Sequence, residues 1–154
     1  MDEKQLSILC SEIEYQIEII EAVFDKISDR KQYINDVRGL ESLAYQLHNL
    51  YSAFEDLFLI IAKHFENTIE DESRYHIELL QRMSIDIEGV RPPLLKRETM
   101  NWLDELRAFR HVFRHAYSYE IDKKKLQIVL EAAENLSECY KDDVANFLKR
   151  LKEE

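Results

Sequence analysis

Strong helix breakers are confined almost entirely to one place in this chain. It contains two glycines and two prolines in 154 residues, and three of those four sit in the stretch Gly89-Val-Arg-Pro-Pro93. Turn-rich β folds spend these residues at their many reversals, so a chain this poor in them lacks the means to build one. Apolar residues meanwhile return every three or four positions over long runs, which is the period of a helix face. Together the two features predict an all-α protein.

Five segments carry that period. In the first, Leu6, Leu9, Ile13, Ile17, Ile20, Phe24 and Ile27 form one stripe, and Ser28-Asp29 offers a break and a cap after it. In the second, Leu43, Leu47, Leu50, Tyr51, Phe54, Leu57, Phe58, Ile61, Ala62 and Phe65 keep helical spacing, with Gly39 inside the helix or just before it. A polar connection at 67–72 leads to a shorter third helix over about 73–87, with Ile77, Leu80, Met83 and Ile87 inward; Gly89 to Pro93 ends it. Thr99 is the expected N-cap of a fourth helix whose apolar face is Leu103, Leu106, Phe109 and Phe113. After a link at 118–122, the last helix spans about 123–152, with Leu126, Val129, Ala133, Leu136, Tyr140, Val144, Phe147 and Leu151 inward. No repeat or low-complexity tract interrupts the pattern, so residues 1–154 read as a single domain, an up-and-down bundle of about five helices.

No apolar run approaches the ~20 residues needed to span a bilayer. The first residues, Met-Asp-Glu-Lys-Gln, lack the basic-then-apolar layout of a signal peptide. Cys10 and Cys139 are too few and too far apart in sequence for a disulfide scaffold or a metal motif, so a reduced, cytoplasmic protein is expected. The net charge of −10 argues against nucleic acid, but it is unevenly placed. From residue 91 to 125 there are nine Lys/Arg against five acids, a local +4 that leaves −14 on the rest. Local field, not total charge, decides where a polyanion docks, so any RNA site is confined to this segment.

Within it, Arg110-His-Val-Phe-Arg-His115-Ala-Tyr117 gathers two arginines, two histidines and a tyrosine at the end of the fourth helix. A group that titrates near neutrality beside a permanent cation suits phosphate chemistry. Arg110 falls on the otherwise apolar stripe of Leu106, Phe113 and Tyr117, where a cation is costly unless it is paired or lines a cleft. Arg110 and His115 are ~140° apart around an ideal helix, whereas His111 projects with His115, Arg107 with His111, and Arg110 with Arg114. The cluster therefore wraps a helix end, and suits a groove between two surfaces better than a flat patch. His48, His64 and His76 stand singly on helices and read as surface or half-buried residues.

Arg-x4-His, with a polar residue directly after the Arg and continued as His-x-Tyr, resembles the motif of the HEPN superfamily, and of HepT-like toxins in particular. Tyr45-Gln-Leu-His-Asn-Leu-Tyr-Ser-Ala-Phe-Glu-Asp-Leu-Phe58 is similar to the long second helix of that family, and Ile77-Glu-Leu-Leu-Gln-Arg-Met-Ser84 with Gly89-Val-Arg-Pro-Pro93 is similar to the part that follows. The resemblance implies a HEPN-like bundle and a metal-independent endoribonuclease toxin, active as a homodimer with motif residues of both subunits facing one cleft, and with no cofactor. Arg110 and His115 would be its catalytic pair. RNA brings its own nucleophile, the 2′-OH. His115 would shuttle protons, and Arg110 would steady the charge growing on the phosphate as a bidentate donor. His111, Arg114 and Arg107 are candidate RNA or phosphate contacts. The residue after the motif Arg is commonly Asn or Asp in that superfamily; His111 keeps a polar group of different character.

The resemblance further implies an MNT-type nucleotidyltransferase antitoxin that adds AMP to the motif tyrosine, here Tyr117, filling the cleft with negative charge. Tyr117 also fits the apolar stripe as an amphipathic core residue, and both readings stay open. Two rivals remain: a non-catalytic HEPN-type adaptor or nucleotide-binding partner of a nucleotidyltransferase, and a metal held by His111 and His115 at their i,i+4 spacing. The dimer has one physical ground of its own, since Arg110 on an apolar stripe is easier to explain at an interface between two copies.

Overall fold

The computed structural model describes residues 1–66, 74–116 and 120–153. α1 (Glu3–Arg30) starts at a capping box: the Asp2 carboxylate accepts from the Gln5 N–H at 2.7 Å, and the Gln5 side-chain carbonyl accepts from the Asp2 N–H at 3.4 Å. Both bonds satisfy donors that a helix start leaves open. α1 runs through the expected break at Ser28-Asp29, where Asp29 pairs with Arg30 at 2.8 Å. A 3-10 turn over Lys31–Tyr33 follows, and then α2 (Val37–Phe65), capped by the Asp36 carboxylate on the Gly39 N–H at 3.2 Å. Gly39 therefore lies inside α2. A Cβ at that position would stand 2.1 Å from the Tyr33 carbonyl oxygen, so the turn folds back onto the helix only because no side chain is there.

α3 (Tyr75–Arg82) is shorter than the expected 73–87 helix, because backbone pairing with residues beyond the turn takes over where intrahelical bonds would continue. The Met83 carbonyl accepts from both Leu94 and Leu95, at 2.8 and 2.9 Å, and Ile87 and Arg91 exchange bonds of 3.0 and 2.9 Å around Gly89, which sits at φ +77°. Leu79, not expected inward, is buried beside Leu80 and Met83, while Ile77 and Ile87 are half-buried. The buried Arg91 guanidinium locks this corner: it pairs with Glu66 at the end of α2 and donates to the carbonyls of Arg82 (2.9 Å), Ile85 (3.2 Å) and Pro92 (3.1 Å).

α4 (Arg97–Arg114) begins after Lys96, and not at Thr99. The Lys96 N–H donates at 3.0 Å to Asp143, which belongs to α5 (Lys123–Glu153), so a carboxylate from another helix takes the place of the expected local cap. Thr99 is buried in the first turn, its hydroxyl 3.5 Å from the Cys139 sulfur. α2 packs on all four other helices, and one hydrophobic cluster draws residues from all five. Tyr140 of α5 stacks on Phe24 of α1 and meets Phe54 of α2 edge-on, both at 5.3 Å between ring centres. All eight residues expected inward on the last helix are buried. The fold is thus the all-α bundle of five helices that the periodicity predicts. Cys10 and Cys139 are free, and among the described residues no helix is long and apolar enough to cross a membrane.

Candidate functional site

α2 and α4 each carry one charged residue on a buried face, and the two meet. Glu55 follows Phe54 on α2, and Arg110 on α4 is only 2% exposed. Arg110 Nη2 donates to both Glu55 oxygens, at 3.2 and 3.1 Å, and its Nη1 donates to the Ser52 hydroxyl at 3.3 Å. The guanidinium carbon lies 4.6 Å from the centre of the Tyr51 ring, a cation–π contact. Burial raises the pKa of the Tyr51 phenol, with the Glu55 charge adding to it, so Tyr51 serves this cation as a neutral ring. From α3, His76 Nδ1 completes the knot at 2.8 Å from Glu55 Oε2 and 3.0 Å from Arg110 Nη2.

Two consequences follow. A guanidinium out of water is tolerated because a carboxylate compensates it, so Arg110 meets its physical requirement by pairing within one chain. The burial of Arg110 therefore gives no reason of its own for a second copy, contrary to the expectation above. The second consequence concerns protons. Nδ1 cannot donate to Glu55 and accept from Arg110 at once. With an anionic carboxylate as neighbour, and the Arg110 hydrogens already directed at that carboxylate, the favoured tautomer has Nδ1–H donating to Glu55. Nε2 then holds the lone pair. Among the described residues it has no hydrogen-bond partner, on a side chain that is 43% exposed.

The other motif residues face elsewhere. His115 is the C-cap of α4, its N–H donating to the Val112 carbonyl at 3.1 Å, and its ring lies edge-on to that of His111 at 5.2 Å. His111, Arg114 and His115 are all exposed. A helix C-terminus carries partial negative charge, which favours a cation such as Arg114 there. Arg107 is tied to Asp104 at 2.8 Å. Arg114 lines a groove of about 510 Å3 with Val37, Leu40 and Glu41 of α2, and a second, apolar groove of about 380 Å3 runs between α4 and α5 past Phe109, Val112 and Ile128. Neither groove includes Arg110 or His115. The fold thus joins His111 to His115, whereas Arg110 bonds to α2 and α3, as the angular separation of the two motif positions predicts. Tyr117 lies outside the described residues.

Sequence reading missed Glu55, Ser52 and His76, and also the setting of His48. The His48 ring is 5.2 Å from that of Phe113. Burial lowers the His48 pKa, and the Arg114 and Arg110 charges lower it further against an opposing hydrogen bond to Asn49. The available signal was the acid pair Glu55-Asp56 interrupting the long apolar run of α2, with Glu55 matching a lone cation on the apolar stripe of α4. The basic segment is also weaker as a field than its count suggests. Arg91 and Arg110 are buried against carboxylates, which leaves Lys96, Arg97, Arg114 and Lys123 to Lys125 facing outward. Among the described residues, no group of three or more His, Cys, Asp or Glu is placed to hold a metal, so the His111–His115 pair finds no third ligand there.

The family of HepT-like proteins matches residues 42–151, from the first turns of α2 through most of α5. The chain belongs to the HepT-like protein family. This is a toxin family of the HEPN superfamily, so the resemblance carried by the motif and its flanks holds, and the Arg110-x4-His115 stretch lies within the matched region. Neither a curated protein nor a solved structure matches the chain.

Proposed function

We propose that this HepT-like protein is a metal-independent endoribonuclease toxin whose site is built on Arg110 and His115. The observation that carries the reading is the end of α4: a guanidinium pre-oriented on a carboxylate, followed one turn later by exposed imidazoles and Arg114. The Arg110 contact with Glu55 uses the same charge-assisted N–H···O chemistry that a phosphodiester offers, so an RNA phosphate shares the guanidinium with Glu55 when substrate is bound. His115, at the open C-terminus of α4, moves protons near neutral pH. His111, Arg114 and Arg107 hold the backbone phosphates. Two copies form the cleft, and an MNT-type nucleotidyltransferase neutralises the toxin by adding AMP to Tyr117.

One observation favours a second reading, the non-catalytic adaptor: Arg110 is 2% exposed, and its Nη1 and Nη2 already have partners within the chain. Expression in cells separates the two. Wild type, Arg110→Ala and His115→Ala are induced with and without any nucleotidyltransferase encoded beside the gene. The ribonuclease reading expects growth arrest by the wild type alone, relief by the partner, and a mass increase of whole AMP units on the peptide containing Tyr117. Equal harmlessness of all three proteins would select the adaptor, and an unmodified peptide after relief would remove the AMP step.

A further inference from the structure

His76 stands singly in the sequence, and the fold gives it a setting that no other histidine among the described residues has. Its Nδ1 is held at 2.8 Å by a carboxylate that is itself fixed by the motif arginine. A carboxylate on one ring nitrogen fixes the tautomer and the ring orientation, and leaves the opposite nitrogen as the reactive one. That nitrogen, Nε2, belongs to a side chain 43% exposed, so a solvent-borne substrate can reach it. His111 and His115 contact each other's rings, and among the described residues no carboxylate is bonded to either.

We propose that His76 is a catalytic residue, the general base of the RNA cleavage proposed above; the inference rests on that reading. Nε2 takes the proton of the ribose 2′-OH as its oxygen bonds to phosphorus. The bond from phosphorus to the 5′-oxygen breaks, its electron pair goes to that oxygen, and in the cleft of two copies proposed above His115 supplies the proton that oxygen needs. One proton is taken, one is given, and the products are a 2′,3′-cyclic phosphate and a 5′-hydroxyl. The two imidazoles suit these opposite roles. The groups facing His76 are Glu55 from α2, Arg110 from α4 and the Tyr75 ring from α3, with Asp56 acting on the Tyr75 phenol. Glu55 holds Nδ1 of His76 and leaves Nε2 free to accept a proton, while His115 stands exposed at the end of α4.

The test is His76→Asn. The asparagine amide N–H can stand in for Nδ1–H toward Glu55 but offers no titratable nitrogen, so it keeps the structural role and removes the chemical one. Full-length wild type and His76→Asn are assayed on a labelled single-stranded RNA of mixed sequence across pH, beside their urea unfolding midpoints. The expected result is an unchanged midpoint, a rate lowered by about 10²–10⁴-fold, and loss of the acidic limb of the pH–rate profile. His76→Asn cleaving within about threefold of wild type, or keeping the acidic limb, would overturn the assignment while leaving the ribonuclease reading intact. A shifted midpoint with a rate that recovers at lower temperature would also overturn it, by making His76 structural. A wild type without cleavage would remove both.

Discussion

Replacing Glu55 with leucine is expected to cost about 3–5 kcal/mol of folding stability, because it leaves the Arg110 guanidinium in the interior without its counter-charge. The partners that remain, the Ser52 hydroxyl, the Tyr51 ring and the His76 imidazole, carry no negative charge and cannot supply it. A loss of that size is a large part of the 5–15 kcal/mol that holds a typical domain together. The companion experiment separates the pair from the rest of the packing. Exchanging both members at once, Glu55→Leu with Arg110→Met, removes the desolvation burden of both charges, so the double variant is expected to recover most of the stability lost by the single one. Urea unfolding of the three proteins reads this directly. A single variant within about 0.5 kcal/mol of wild type would mean that Arg110 is not buried as described.

The second large effect is expected at Arg91. Alanine there removes the nearer of the two arginines paired with Glu66, leaving Arg82 at 3.6 Å, and strands the carbonyls of Arg82, Ile85 and Pro92, at an expected cost again of about 3–5 kcal/mol. Lysine keeps the charge but not the planar fork that serves several acceptors in different directions, so Arg91→Lys is expected to fall between alanine and wild type. The damage has a local signature. The amides of Ile87, Leu94 and Leu95, which bond across this corner, are expected to lose hydrogen-exchange protection first. Full protection of these amides in Arg91→Ala, or a lysine variant as stable as wild type, would refute the role assigned to the guanidinium.

The fold was legible because its determinants are local. Scarcity of breakers and a sustained apolar period act within a few residues, and the eight residues they place inward on α5 are all buried. The elements that reading misplaced are those decided at long range. α3 stops early because Met83 accepts from Leu94 and Leu95, and α4 starts at Lys96 because Asp143 reaches it from 47 residues away. The same distinction runs through the site. The apolar stripe on α4 was enough to require a partner or a cleft for Arg110. It could not name the partner, because Glu55 lies 55 residues away and His76 lies 34 away. Nor could it foresee that the cation would be satisfied in one chain. The motif marked where chemistry sits, while the pairing that orients it becomes visible only once three helices are packed.

That chemistry has a direct assay. Purified wild type and His115→Ala, equally folded by circular dichroism, are incubated with RNA in excess EDTA and the product ends are identified. The expected result is cleavage by the wild type to 2′,3′-cyclic phosphate and 5′-hydroxyl ends, lowered by about 10²-fold or more in His115→Ala. Cleavage equal in the two proteins, or abolished by EDTA, would contradict a metal-free site at the end of α4.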